Sequence, residues 1–288
     1  MTLSDTKEGI YFMLNKFFIE EHVKRALNED IGFGDITTDY LTGDNDKMSC
    51  VLNTRVDGIL CGKTVFETVF KILSPDIEIK FYFNDGDEIK KGDKIADVKG
   101  PARYILMGER TALNYIQRMS GIATETNKYK KAIGEYKANI VDTRKTTPCF
   151  RAFEKYSVKI GGGALHRFNL SDCAMIKDNH IKFSGSLTNA IKKLKQNISH
   201  AHKIEVECDT LEQVKEALSC GVDIIMLDNM TLEQMRECVK LINGKAIVEA
   251  SGNVHLNTVK DIASTGVDII SSSAIVAKAP TLDLGLDM

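Results

Sequence analysis

Residues 203–271 read KIEVECDTLEQVKEALSCGVDIIMLDNMTLEQMRECVKLINGKAIVEASGNVHLNTVKDIASTGVDIIS, and this stretch decides the fold. A short apolar strand followed by a helix occurs three times before a fourth strand. Thr210 and Thr231 each begin the sequence Thr-Leu-Glu-Gln, a capping box that starts a helix. Gly221, Gly244 and Gly266 follow the helix ends, where a left-handed conformation is favoured. The stretch therefore predicts consecutive βα units.

The strands of these units are apolar along most of their length, which is typical of a parallel sheet buried on both faces. Two further apolar runs, Asn139–Asp142 and Ala174–Ile176, bring the predicted strands to six. Six strands fit an incomplete, TIM-like α/β barrel of six to seven strands, or a doubly wound sheet. We predict the barrel, because polar residues follow every strand and a barrel brings all strand ends to one mouth.

The residues at these strand ends fall into three chemical groups. Arginine and lysine pair with carboxylates or with pyrophosphate. Carboxylates accept hydrogen bonds from ribose hydroxyls or hold Mg²⁺, and the last strand ends of a barrel commonly bind a terminal phosphate. Together they predict a site for a phosphorylated sugar that carries pyrophosphate and for a carboxylated acceptor. In chain order the strand-end residues are Arg144, Lys145, Lys177, Glu207, Asp228, Ser251, Gly252, Ser271, Ser272 and Ser273.

The sequence before these units follows another pattern. Residues 47–98 contain period-two runs with turn signals at Asn84–Gly86 and Lys91–Asp93, which predict short antiparallel strands. Apolar residues at helical spacing predict helices at Phe17–Leu27, Val65–Leu73 and Arg103–Met119. This region is predicted to be a sandwich of helices and strands.

The predicted helix Arg103–Met119 has two contrasting faces. One face is a stripe of apolar residues that we expect to be buried. The opposite face mixes amides with arginines, which suits an interface better than a freely exposed surface. The buried stripe comprises Ile105, Ala112, Ile116 and Met119, and the polar face comprises Arg110, Asn114, Gln117 and Arg118.

Composition limits the possible functions. The 288 residues include 38 Lys and Arg against 40 Asp and Glu, so a net charge of −2 gives no global attraction to nucleic acid or to an anionic membrane. The first 18 residues contain no small-residue cleavage site, and no apolar stretch approaches the length of a membrane span. We predict a cytoplasmic protein. The seven cysteines are scattered, without a C-x-x-C pair, and predict reduced thiols, although Cys149 beside the cations is an alternative nucleophile.

Long collinear motifs give the chain a resemblance to the quinolinate phosphoribosyltransferases, the decarboxylating enzymes of NAD biosynthesis. The resemblance implies an N-terminal open α/β sandwich, which we place at residues 1–115 with the C-terminal tail 276–288, and an incomplete barrel at 116–275. It also implies homodimers, possibly assembled into hexamers, in which each active site borrows from the partner subunit. The motifs are EDIGFGDITT (29–38), ERTALNYIQRMSGIAT (109–124), DTRKTTPCFRAFEKYSVKIGGG (142–163), HRFNLSDCAMIKDNH (166–180), VE (206–207), LDNM (227–230) and EASGN (249–253).

The resemblance also implies roles for individual residues. Lys145, Lys177, Glu207 and Asp228 are the expected catalytic residues, and the last two are also expected to contact the ribose and its Mg²⁺. Arg110 corresponds to the arginine that the family donates to the partner's active site. The expected quinolinate-binding cations are Arg144, Lys145, His166, Arg167 and Lys177, and Ser251 and Gly252 match the family's phosphate loop. Asn253, Ser272 and Ser273 are expected to bind phosphate because they lie at the last two strand ends.

This sequence departs from the family in the last strand-end loop. Ser273 stands where the family usually has glycine, and Val276-Ala277 stands where it usually has threonine-histidine. The phosphate contacts in this loop therefore stay open.

The implied reaction joins quinolinate to phosphoribosyl pyrophosphate and gives nicotinate mononucleotide, pyrophosphate and CO₂. Two alternatives stay open: a molybdenum-transport-associated relative with another substrate, and a Schiff-base lyase using Lys177. Arg151, Lys155 and Lys159 recur at helical spacing on one face, where solvated charge and substrate contact are equally compatible with the sequence.

Overall fold

The computed structural model describes residues 14–288, which form two compact units. The first unit comprises the residues up to Asn127, the segment Pro148–Gly162 and the tail Ala279–Met288, and the second comprises Lys128–Thr147 and Gly163–Lys278. The division falls inside a continuous helix, and the boundary expected between residues 115 and 116 stays a prediction. Most of the N-terminal sequence used to predict the cellular location, residues 1–13, lies outside the described residues.

The first unit is built around an antiparallel sheet with the strand order β12-β1-β5-β3. Strand β12 belongs to the tail and pairs with β1 from Val51↔Asp287 to Thr54↔Leu284. Phe66 and Phe70 on helix α3 lie in the core that the sheet covers, and both are fully buried. The elements are α1 (Lys16–Ile31), α2 (Thr38–Leu41), β1 (Lys47–Thr54), β2 (Gly58–Ile59), α3 (Lys63–Leu73), β3 (Glu78–Phe81), β4 (Glu88–Ile89), β5 (Lys94–Pro101), α4 (Ala102–Ile133, which continues into the second unit), α5 (Arg151–Ile160) and β12 (Leu284–Asp287).

Helix α4 is longer than predicted, because its apolar stripe continues past Met119. The four residues of the expected stripe are fully buried. On the opposite face, Gln117 Nε2 donates to the Leu284 carbonyl at 2.7 Å, and Arg118 NH1 donates to the Ala279 carbonyl at 2.8 Å. The polar face was predicted to form an interface, and for Gln117 and Arg118 the partner is the chain's own C-terminal segment. Arg110 and Asn114 on the same face are exposed.

Helix α5 carries Arg151, Lys155 and Lys159, for which a solvated face was one of the two interpretations. Lys155 is fully buried, so a solvated role is wrong for this residue. Its neighbour Glu154 is also fully buried and forms an ion pair with Arg118 NH2 at 3.0 Å. The helix therefore takes two charged side chains into the first unit, where partners must offset the loss of hydration.

The second unit is a parallel sheet with the strand order β6-β11-β10-β9-β8-β7 and helices between the strands. β6 and β7 are the two edge strands, which agrees with an incomplete barrel. The predicted α/β fold with an N-terminal sheet domain is confirmed. The elements are β6 (Asn139–Val141), β7 (Ala174–Ile176), α6 (Asp178–Ser184), α7 (Leu187–Asn197), β8 (Ile204–Cys208), α8 (Leu211–Ser219), β9 (Ile224–Asp228), α9 (Leu232–Ile242), β10 (Ile247–Ser251), α10 (Val259–Ala263), β11 (Ile269–Ser271) and α11 (Ala274–Ala277).

The helix boundaries in this unit follow from the predicted caps. Thr210 and Thr231 accept hydrogen bonds from the backbone of Gln213 and Gln234, and both capping boxes are complete. Gly221 and Gly244 take positive φ angles of 62° and 75°. Across residues 14–288, none of the helices combines the length and the apolar character needed to cross a membrane.

Candidate active site

The strand register of the second unit brings the charged strand-end residues together. Ile176 is aligned with Val206, so Lys177 and Glu207 follow at neighbouring positions. On the other side of β8, Glu207 is aligned with Met226, and Ser251 on β10 is aligned with Asp228 on β9. Because the strands are parallel, these side chains all lie at the carboxyl end of the sheet. Asp228 also shares a face with Met226, since alternate residues of a strand share a face.

A polar cavity of about 430 Å³ lies at this end of the second unit. Lys177 forms a close ion pair with Glu207 in its wall. Thr143 and Lys278 also line the cavity, so small hydroxyl groups and ammonium groups face the two carboxylates. The predicted site residues in its wall are Lys145, Lys177, Glu207, Asp228, Ser251, Gly252, Asn253, Ser272 and Ser273.

One wall of this cavity is a loop pair in the left-handed conformation. Gly252 has φ 90°, and Asn229 and Asn253 have φ 53° and 51°. Asn229 donates its backbone N–H to the Ser251 carbonyl at 3.0 Å, and Asn253 Nδ2 donates to Asn229 Oδ1 at 3.2 Å. Asn229 Nδ2 donates to Asp228 Oδ2 at 2.7 Å, so the amide links the loop after β10 to the carboxylate at the end of β9.

The loop after β11 forms another wall. Ser271 and Ser272 are buried. Ser272 donates its N–H to the Val141 carbonyl at 3.0 Å, and its hydroxyl accepts from the Ala274 N–H at 3.2 Å. These bonds fix the loop next to β6, and Ser273 at the start of α11 lines the cavity.

A larger cavity of about 920 Å³ lies in the same unit and has a different character. Arg144, Arg167 and Lys177 line it together with apolar side chains such as Met175 and Leu194. Arg167 is held by a hydrogen bond from NH1 to the Cys173 carbonyl at 2.8 Å. Lys177 lines both cavities, so the cationic cavity and the polar cavity share one residue of their walls.

Two expected neighbours separate. Arg144, where the chain bends, lines the larger cavity, and Lys145 lines the polar cavity. Arg110 lies on α4 in the first unit, and its expected role in a partner's site stays a prediction. His166 lies in the second unit but lines neither of these two cavities among the described residues.

His166 lies between two carboxylates that the strand-end pattern of the sequence does not indicate. Its Nε2 is 3.3 Å from Glu205 Oε2 and 3.4 Å from Glu249 Oε1. Both glutamates are 1% exposed. The available signal was a glutamate inside each apolar strand, in IEVEC and in AIVEA, where a buried charge needs a partner. Asn229 was also missed, because an asparagine after a strand more commonly serves a turn.

The surroundings of this cluster favour retention of a proton. Burial alone lowers the pKa of His166, but the hydrogen bonds and charges of Glu205 and Glu249 outweigh burial and raise it to about 10. Burial raises the pKa of Glu205 by more than its hydrogen bond to His166 lowers it. The Arg167 N–H donates to His166 Nδ1 at 2.9 Å, which places the ring proton on Nε2. The proton that the cluster retains therefore lies on the Nε2 side, shared with the carboxyl groups.

Comparisons with known proteins agree over most of the chain. The model of the quinolinate phosphoribosyl transferase C-terminal domain matches residues 122–287, and that of the N-terminal domain matches residues 35–120. The chain is 42% identical over 273 residues to a probable nicotinate-nucleotide pyrophosphorylase [carboxylating] of Synechocystis sp., covering 94% of this chain and 92% of the relative. It is 39% identical over 276 residues to the protein of the same name in Bacillus subtilis, covering 96% and 92%.

Solved structures give the same result. NadC from Streptococcus pyogenes matches with a TM-score of 0.93 and 39% identity, covering 96% of this chain and 97% of that chain. The nicotinate-nucleotide pyrophosphorylase from Francisella tularensis matches with a TM-score of 0.92 and 38% identity, covering 98% and 99%.

Proposed function

The chain belongs to the quinolinate phosphoribosyltransferase family, and from this we propose that it transfers the phosphoribosyl group of phosphoribosyl pyrophosphate to quinolinate with loss of CO₂. The products are nicotinate mononucleotide, pyrophosphate and CO₂, in the biosynthesis of NAD. The observation that carries the proposal is the position of Lys177, which lines both a cationic, partly apolar cavity and a polar cavity that contains two carboxylates.

The larger cavity suits quinolinate. An aromatic ring with two adjacent carboxylates needs apolar contacts for its faces and cations for its edge, and a guanidinium binds a carboxylate bidentately. Arg144 and Arg167 supply two guanidinium groups, and Met175 and Leu194 supply apolar surface. We assign the two arginines to the carboxylates of quinolinate.

The polar cavity suits phosphoribosyl pyrophosphate. Glu207 and Asp228 can accept hydrogen bonds from the ribose hydroxyls, and Lys145 and Lys278 can offset the phosphate charges. The Ser251–Asn253 loop and the Ser272–Ser273 loop offer backbone N–H groups and hydroxyls to a terminal phosphate. Ser273 lines this cavity, so the departure from the family's glycine adds a hydroxyl there.

We also propose Mg²⁺ as the cofactor, and the donor set fits this ion. Glu207 and Asp228 supply hard oxygen donors at one cavity, and Mg²⁺ is usually held by one or two carboxylates together with substrate phosphates. When bound, Mg²⁺ would neutralise charge on the departing pyrophosphate. The Lys177 ammonium paired with Glu207 would hold that carboxylate in place.

The chain's own residues account for the arrangement of the reactants. The two arginines orient quinolinate so that its ring nitrogen faces the ribose, and proximity of this kind supplies much of the rate enhancement. The carboxylates of Glu207 and Asp228 stabilise positive charge on the ribose carbon as the bond to pyrophosphate breaks. After the nitrogen attacks, its positive charge accepts the electrons left by the departing CO₂. No additional electron-accepting cofactor is needed for that step.

Several finer points remain proposals. We propose a homodimer, which a hexamer would also contain, in which Arg110 of one protomer contributes to the site of its partner. Support comes from the exposure of Arg110 and Asn114 on α4. The cytoplasmic location stays a prediction.

One assay tests the function. Quinolinate labelled in its 2-carboxyl group is incubated with the protein and Mg²⁺, with and without phosphoribosyl pyrophosphate, and released CO₂ is counted. We expect release only with the phosphoribosyl donor. No release above the protein-free control would reject the proposal and favour a relative with another substrate.

The Schiff-base alternative predicts a different outcome. A lyase needs a Lys177 amine that is available to attack a carbonyl group, but this side chain forms a close ion pair with Glu207. Reduction with borohydride in the presence of substrate should therefore leave the mass of the protein unchanged. A covalent adduct on Lys177 would support the lyase.

A further inference from the structure

We propose that Glu205 and Glu249 are positioning residues that fix the imidazole of His166 and, through it, the backbone of Arg167 beside the quinolinate cavity. The inference rests on the proposed function, because it assigns these glutamates to recognition of the carboxylated substrate. Neither glutamate is among the described residues that line the two cavities. Their effect on the substrate must therefore be indirect.

Every polar atom of the His166 ring has a partner within the protein. Nε2 faces Glu205 and Glu249 at 3.3 and 3.4 Å. Nδ1 accepts the Arg167 N–H at 2.9 Å, and the backbone N–H of His166 donates to Asp142 Oδ1 at 2.9 Å. The side chain is 10% exposed. A ring whose two nitrogens are both engaged is suited to holding other groups in place.

The link from the ring to the cavity passes through Arg167. Its backbone N–H is held by the imidazole, and its guanidinium is held by the Cys173 carbonyl. Two anchors on one residue restrict both its backbone and its side chain. The guanidinium can then meet a carboxylate with little further loss of rotamer freedom. Rotation of the ring would remove the backbone anchor and leave the arginine held at one point.

The two carboxylates confine the Nε2 side of the ring from two directions. Glu205 is on β8 and Glu249 is on β10, so they approach Nε2 from strands on either side of β9. Nε2 is hydrogen-bonded to Glu205 and has the second carboxylate, that of Glu249, at nearly the same distance, which restricts the position of the Nε2 proton more than one carboxylate would. Burying both glutamates costs desolvation energy, and neither of them lines the two cavities where it could contact a ligand directly. A positioning role explains why both are present.

The test uses Glu249→Gln and Glu205→Gln, which keep nearly the same volume but replace a carboxylate by a neutral amide, a weaker acceptor for the Nε2 proton. We expect KM for quinolinate to rise about tenfold or more and KM for phosphoribosyl pyrophosphate to stay within about twofold, since Arg167 does not line the polar cavity. Glu249→Asp, which restores the charge but shortens the arm, should recover part of the loss. The matched control is Glu212→Gln on the exposed surface of α8, which should leave both constants unchanged.

A measurement on the unsubstituted protein keeps the proposal testable if the variants do not fold. In ¹⁵N-histidine spectra at neutral pH, Nδ1 of His166 should have the shift of a nitrogen without a proton, and Nε2 that of a protonated nitrogen, because the proton that the cluster retains is shared between Nε2 and the carboxyl groups and does not lie on Nδ1. A proton on Nδ1 would overturn the proposal. Stoichiometric transition metal in the purified protein, absent from Glu249→Gln, would also overturn it, because the three side chains would then be metal ligands.

The outcomes separate this inference from the proposed function. An unsubstituted protein that releases no CO₂ from quinolinate rejects the function. If the protein is active but the Glu249→Gln and Glu205→Gln variants keep its KM for quinolinate, only the positioning role is rejected. The same holds if both KM values rise and kcat falls in proportion to a lower Tm.

Discussion

The backbone of Gly252 lies against the side chain of Asn229, and a Cβ built on Gly252 would be 2.2 Å from Asn229 Oδ1. The φ angle of 90° at Gly252 is also unfavourable for other residues. Gly252→Ala should therefore displace the loop and raise KM for phosphoribosyl pyrophosphate at least about tenfold, or ~1.4 kcal/mol. Steady-state kinetics measure this change.

Gly244→Ala is the matched control for that variant. Gly244 has φ 75° and no heavy atom within 4 Å of the added Cβ. Only backbone strain of about 1 kcal/mol is expected, visible as a lower Tm with unchanged KM. If both variants behave alike, close approach to Asn229 is not the reason for glycine at position 252.

Arg144→Lys should weaken quinolinate binding specifically. Lysine keeps the charge but cannot form the paired hydrogen bonds of a guanidinium. Loss of one hydrogen bond to a charged group is worth ~1.5–3 kcal/mol, so KM for quinolinate should rise about tenfold to a hundredfold. Arg236→Lys on α9, outside both cavities, is the control. An unchanged KM in Arg144→Lys would remove Arg144 from the quinolinate site.

Asp228→Asn should change the requirement for Mg²⁺. The amide oxygen can still accept from Asn229 Nδ2, so the loop is preserved while the metal-binding charge is lost. We expect the Mg²⁺ concentration at half-maximal activity to rise at least about tenfold. Chelation by EDTA should abolish activity in the unsubstituted protein, and added Mg²⁺ should restore it. Asp261→Asn on α10 provides the comparison, and an equal Mg²⁺ requirement in both variants would argue against metal binding by Asp228.

Arg118→Ala should destabilise the first unit without touching the cavities of the second. Arg118 pairs with the fully buried Glu154 and also holds the Ala279 carbonyl. Removing one partner of a buried ion pair typically costs about 3 kcal/mol or more. Urea denaturation would measure the loss, and Arg118→Lys should recover part of it. A loss below about 1 kcal/mol would contradict the importance of this pair.

Stability should depend on pH through the cluster of His166, Glu205 and Glu249. The hydrogen bonds and charges of Glu205 and Glu249 raise the pKa of His166 from 6.5 to about 10, so the folded cluster keeps a proton, shared between Nε2 and the carboxyl groups, that the unfolded chain releases near pH 6.5. This contribution is complete below pH 6.5 and is lost as the pH rises towards about 10. Tm should fall across that interval, and the slope should be smaller in Glu249→Gln than in Glu212→Gln. Equal slopes would exclude the cluster as the cause.

Much of the second unit could be predicted from local sequence signals. Capping boxes at Thr210 and Thr231 define helix starts through contacts three residues apart, and apolar strands define a parallel sheet. The polar cavity could also be anticipated, because strand ends such as Glu207 and Asp228 meet at one edge of such a sheet.

Other features depend on contacts between distant residues and left weaker signals. Burial of Lys155 depends on the whole packing of the first unit, which a helical pattern does not reveal. The glutamates around His166 come from β8 and β10, so their convergence requires the strand order. Gln117 and Arg118 bind a segment that lies more than 150 positions later, and helix α4 alone gave no means of identifying it.

The pairing of β12 with β1 affects the order in which the chain can fold during synthesis. All strands of the second unit lie between Asn139 and Ser271, but the first unit's sheet needs Leu284–Asp287 beside residues made some 230 positions earlier. The half of the protein that emerges first must therefore keep one edge of β1 uncovered while the later half is translated. The parallel sheet can form before the sheet that precedes it in the sequence is complete.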